Sequence, residues 1–90
     1  MARILICEDN AEALFALRDI LLEQGYEVFT AEDGKQGLKT FREERPDLVF
    51  LDINMPLMDG LSALSEIMKL NPEQIVIMLT ASADIKQSVK

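Results

Sequence analysis

Ninety residues, 49% of them apolar, read as one small domain spanning 1–90 with a marginal core. Sixteen acids against nine bases give a formal charge of −7, which argues against nucleic-acid backbone or an anionic membrane as a direct partner. A lone cysteine within an apolar run, apolar runs no longer than five residues where a bilayer needs about 18, and no signal-peptide core together predict a cytoplasmic protein without disulfides.

Arg3-Ile4-Leu5-Ile6-Cys7 reads as a strand buried on both faces, ending in Glu8-Asp9-Asn10. Asn10 is the expected N-cap of a helix from about Ala11 to Gln24, with Gly25 as its stop. Leu14, Leu17, Ile20 and Leu21 form that helix's main stripe, and Ala13, Phe15, Ala16 and Leu22 widen it beyond what one sheet face needs. Tyr26–Ala31 is β-prone but carries an internal charge, which suits an edge strand. Gly34 opens a weaker helix through Leu38 and Phe41, which ends before Pro46. Leu48-Val49-Phe50-Leu51 is a second fully buried strand and stops at Asp52. Pro56 and Asp59-Gly60 mark a turn, after which Leu61, Leu64, Ile67 and Met68 share one face of a helix from about Leu61 to Leu70. Asn71-Pro72 closes that helix, Ile75–Leu79 is a further buried strand, and Asp84 would cap a short last helix through Lys90. Strand and helix alternate four times over short connections, the pattern of a parallel α/β sheet with right-handed crossovers.

Asp52, at the carboxyl end of its strand, is either a solvated terminus or a reactive group, since open α/β sheets hold their ligands at that end. Should the strands ending at Cys7 and Asp52 be neighbours, Glu8, Asp9 and Asp52 share one crevice. Ionised carboxylates about 4 Å apart repel by roughly 4 kcal/mol per pair at an effective dielectric of 20, whereas a helix cap returns only about 1 kcal/mol. A hard divalent cation with oxygen ligands answers such a cluster, and an open site with few ligands favours Mg²⁺ over Ca²⁺. The alternative is that Glu8 and Asp9 only favour the positive end of the first helix and never approach Asp52. Met55, Met58 and Cys7 read as packing.

Glu8-Asp9, Leu51-Asp52-Ile53-Asn54-Met55-Pro56, Met58-Asp59-Gly60 and Leu79-Thr80-Ala81, in this order, resemble the receiver domain of two-component response regulators, in register from Arg3 to the end of the chain. The resemblance implies a flavodoxin-like parallel sheet with helices on both faces, and the strand order 2-1-3-4 is taken from it rather than from the residues. It implies that Asp52 is the nucleophile that accepts a phosphoryl group from the phosphohistidine of a histidine kinase or phosphotransfer protein. Glu8, Asp9, Asp52 and the backbone carbonyl of Asn54 would hold Mg²⁺. Thr80 would donate its hydroxyl to the phosphoryl group, with Met55, Pro56, Ala81 and Ser82 flanking the site; the family tunes acyl-phosphate lifetime at positions matching Asn54 and Ser82.

The family also has a fifth strand, ending in a lysine that pairs with the phosphoryl group, and a fifth helix; this sequence contains neither. The expected fold is therefore incomplete, with four of five βα units. Acyl-phosphate formation is expected to be slow, while Mg²⁺ binding, with a gain in stability, is expected to persist. The fourth strand's open edge and a bare sheet face predict self-association. A dehalogenase-type hydrolase is a poorer reading, because it needs an acid where this chain has Asn54. The remaining alternative is a non-catalytic interaction module with an impaired site.

Overall fold

The computed structural model describes residues 2–55 and 57–79. Pro56, Thr80, Ala81, Ser82 and the short helix expected near Ile85 lie outside the described residues. The elements run β1 (Arg3–Cys7), α1 (Ala11–Glu23), β2 (Glu27–Ala31), α2 (Gly34–Glu44), β3 (Leu48–Asp52), α3 (Gly60–Leu70) and β4 (Ile75–Leu79). All strand pairs are parallel and the order is β2-β1-β3-β4, the flavodoxin-like arrangement with β2 at an edge.

Register assigns each strand residue to a face. Ile4 and Ile6 pair with Leu48 and Phe50, which pair in turn with Ile75 and Ile77, so these six share the α1 side. Leu5, Cys7, Val49, Leu51, Val76 and Met78 point the other way, where α2 and α3 supply Leu38, Phe41, Ala63 and Ile67 to the larger core cluster. Each such fully buried aliphatic or aromatic side chain contributes roughly 1.5–3 kcal/mol. On the α1 side the core is smaller, built from Ile4, Ile6 and Leu14 with Leu17, Leu21, Val28, Leu48 and Phe50 around them. The helix lies mainly over β2 and β1. Beyond it, Ile75 and Ile77 of β4 are 63% and 44% exposed; their apolar run alone reads as a buried strand, and this is the face that an incomplete fold was expected to leave bare.

Two helix stripes differ from the sequence reading. Ile20 is 57% exposed, because Leu14, Leu17 and Leu21 already fill the width that β1 and β2 offer. Leu61 is 62% exposed, and Ala63 takes the buried position in the larger core beside Ile67. β2 begins at Glu27, one residue after the expected Tyr26.

The helix starts are set by side-chain caps. Asn10, Asp33 and Asp59 accept from the backbone N–H groups of Ala13, Gln36 and Ser62 respectively. Gln24 caps the end of α1, and Gly25 follows with φ 89°. Arg3 fastens the opposite end of the sheet. Its backbone N–H donates to the Asp47 carboxylate at 2.8 Å, and its guanidinium donates to Glu27, to the Glu44 carboxylate and to the Glu44 carbonyl while lying over the Phe29 ring.

Candidate functional site

Because Cys7 pairs with Leu51, the residues that follow β1 sit beside the end of β3. Glu8, Asp9 and Asp52 therefore meet, each offering a carboxylate oxygen within 4.8 Å of the other two. The reading in which the first two acids only favour a helix terminus is set aside by this geometry. Asp52 is 6% exposed, Glu8 is half-buried and Asp9 faces solvent, so the cluster is open on one side.

The Asp52 carboxylate accepts from the backbone N–H of Asn54 at 3.2 Å, and no described cation pairs with it. Burial pushes the Glu8 carboxyl up to about 7 from an ordinary 4.5, and the neighbouring Asp52 and Asp9 carboxylates push the same way. The Asn10 backbone N–H, which donates to Glu8 at 3.1 Å, opposes the rise. Beside the cluster, burial and the Asp33 charge hold the Cys7 thiol up at about 12, so it is an inert core group. Three hard oxygen donors around an open position form a set that is able to hold a small divalent cation.

The loop after Asp52 shapes the rest of the site. Asn54 is exposed, Met55 is buried in the larger core and Met58 packs against it, as expected of packing residues. Between them Leu57 adopts φ 70°, which a non-glycine residue rarely does. The loop is closed by a hydrogen bond from the Gly60 N–H to the Ile53 carbonyl at 2.7 Å. A β-carbon at Gly60 would lie 2.6 Å from the Ile53 Cα and nearer still to the Asp52 carbonyl oxygen, so only glycine lets α3 begin against the β3 terminus. The sequence reading missed the Asp59 cap, for which an Asp preceding a helical apolar pattern was the available signal. The close approach at Gly60 has no such local signal. Thr80, Ala81, Ser82 and Pro56 lie outside the described residues. A groove of about 700 Å³ opens at the other end of the sheet between Arg42, Arg45, Pro46, Leu70 and Ile75, and none of the three clustered acids lines it.

Comparison with known proteins adds the family. A model of the response regulator receiver domain matches residues 4–90. The chain is 44% identical over 80 residues to the chemotaxis protein CheY of Bacillus subtilis, covering 88% of this chain and 67% of that one. It is 46% identical over 84 residues to a protein-glutamate methylesterase/protein-glutamine glutaminase of Caldanaerobacter subterraneus, covering 91% of this chain and only 23% of that protein. Among solved structures, response regulator TrrA of Thermotoga maritima, in complex with Mg²⁺-BeF, superposes with a TM-score of 0.86 at 43% identity, covering 90% of this chain and 70% of that one. With a match that runs from Ile4 through all four strands, this chain belongs to the receiver domains of two-component response regulators.

Proposed function

We propose that Asp52 is the phosphoacceptor, taking a phosphoryl group from the phosphohistidine of a histidine kinase or phosphotransfer protein. The observation that carries this reading is the meeting of Glu8, Asp9 and buried Asp52 around an open position, with no described cation to neutralise them. In the transfer, the imidazole N–P bond breaks, an O–P bond forms to the Asp52 carboxylate, and the imidazole leaves neutral once protonated. The 3.2 Å hydrogen bond from the Asn54 N–H engages one carboxylate oxygen, fixing its orientation and leaving the other as nucleophile. Glu8, Asp9, Asp52 and the Asn54 carbonyl would hold Mg²⁺. When bound, that ion supplies positive charge against the phosphoryl oxygens. Support comes from the donor set itself and from the Thermotoga relative, which was solved with Mg²⁺-BeF. Thr80 is proposed as the hydroxyl donor to the phosphoryl group, with Met55, Pro56, Ala81 and Ser82 around it.

The test is incubation with beryllium fluoride and Mg²⁺ followed by ¹⁹F NMR. One bound fluoride signal that needs Mg²⁺ and disappears in Asp52→Ala is expected, and no bound signal overturns the reading.

One observation favours a second role alongside the first. Among the described residues β4 is an outer strand, and on its α1 side Ile75 and Ile77 stand uncovered next to half-buried Leu48 and Phe50. We propose that this face and the β4 edge pair with a second copy of the chain. Light scattering at micromolar concentration is expected to report a dimer, and a stable mass of 10.1 kDa removes the proposal.

A further inference from the structure

The loop that leaves Asp52 is held from outside by a helix that contributes nothing to the carboxylate cluster. Gly34, the first residue of α2, is buried against Met58. A β-carbon there would lie 2.7 Å from the Met58 Cβ, 2.8 Å from its carbonyl carbon and nearer still to its carbonyl oxygen. Real β-carbons do not approach backbone this closely, so any side chain at this position must push Met58 away.

The loop has little freedom to absorb that push. Met58 is followed directly by Asp59, which caps α3 through Ser62, and by Gly60, which is already in close contact with the backbone of Asp52 and Ile53. Leu57, before it, is held at φ 70°. Met55 is buried in the larger core, against which Met58 packs. Directly before Met55 stands Asn54, whose N–H orients the Asp52 carboxylate. Met58 packs against the core cluster that holds Met55, so displacement at Met58 is passed through that packing to Met55 and its neighbour Asn54 rather than forward into α3.

We propose that Gly34 is a positioning residue for the Asp52 site: the absence of a side chain at the start of α2 sets where Met58 sits, and through the loop it sets the Asn54 carbonyl and the Asp52 carboxylate. This inference rests on the proposed metal-binding role of those groups. Residues that orient metal ligands from outside typically change affinity 10- to 100-fold when altered, and the lower end suits a displacement passed along a loop.

The test is a MgCl₂ titration of the 90-residue chain, reading the Mg²⁺ Kd from the amide NMR shifts of Glu8, Asp9 and Asn54. Gly34→Ala is expected to raise the Kd roughly tenfold while the α2 signals persist. Phe41→Leu, in the same helix but lining the groove at the other end of the sheet, is expected to lower the melting temperature and leave the Kd unchanged. Wild-type affinity in Gly34→Ala, or an equal loss in Phe41→Leu, overturns the inference while leaving the Asp52 reading intact. A wild type that does not bind Mg²⁺ overturns both. Should Gly34→Ala fail to fold, Met58→Gly decides instead: it removes the β-carbon that faces Gly34 and frees the loop there, and an unchanged Kd rejects the inference.

Discussion

Asp52 is the single buried charged residue among the described residues, and it lies beside two further carboxylates. Without metal this arrangement works against folding, though Glu8 and Asp9 are exposed enough for water to screen most of the repulsion. Asp52→Asn is therefore expected to stabilise the metal-free protein by on the order of 1 kcal/mol, and to abolish the rise in melting temperature expected of the wild type in millimolar Mg²⁺. Glu8 adds a pH signature. Its carboxyl titrates near 7 in the folded protein, against 4.5 ordinarily, so between these values the folded state holds a proton that the unfolded state has lost. Glu8's contribution to stability therefore grows as pH falls from about 7 to 4.5 and is absent above that window. Metal-free melting temperatures of wild type minus Glu8→Gln are expected to rise across that interval on acidification. A flat difference rejects the assignment.

At the scale of elements, caps and turns make separable contributions. Asp59→Ala removes the side-chain acceptor for the Ser62 N–H and is expected to cost about 1 kcal/mol in urea unfolding. Arg45, at the end of α2, sits at φ 48° and ψ 64°, where a non-glycine residue carries a cost of roughly 1–2 kcal/mol. Arg45→Gly relieves that cost and loses roughly 0.5–1 kcal/mol to backbone entropy, so a net gain of up to about 1.5 kcal/mol is expected from the same measurement. β1, β3 and β4 were legible in the sequence because parallel strands leave unbroken apolar runs, β2 was legible from its β-prone residues, and Glu8, Asp9 and Asp52 were legible as a cluster once β1 and β3 were neighbours. Ile20 and Leu61 were misplaced for one shared reason. Helical periodicity finds an apolar flank, but how much of that flank is covered depends on the width of what packs against it. Gly34 was read only as a helix start, because its contact with Met58 joins residues far apart in the chain and leaves no local pattern.

Across the whole molecule, the two faces of the sheet are unequally finished. The α2 and α3 side carries a continuous core, whereas α1 stops short of β4. Pairing through that face predicts a specific response to charge. Ile77→Lys points an ammonium out of the uncovered surface and is expected to shift light scattering from dimer to monomer, with the circular dichroism of the fold retained. Unchanged dimer mass places the contact elsewhere.

The order β2-β1-β3-β4 also has a consequence for how the chain acquires its shape in time. β1 is the earliest strand in the chain, yet it is an interior one, and its partner β3 is not complete until Asp52. During synthesis Ile4, Leu5 and Ile6 must wait, apolar and half-paired with β2, while α2 and the whole of β3 are made. Arg3 fastens this assembly: its contact with Glu27 joins the two strands already paired, whereas those with Glu44 and Asp47 exist only once α2 and the start of β3 are in place. Folding should therefore be limited by the docking of β3 onto β1, and Arg3→Ala should accelerate unfolding far more than it slows refolding in stopped-flow chevrons.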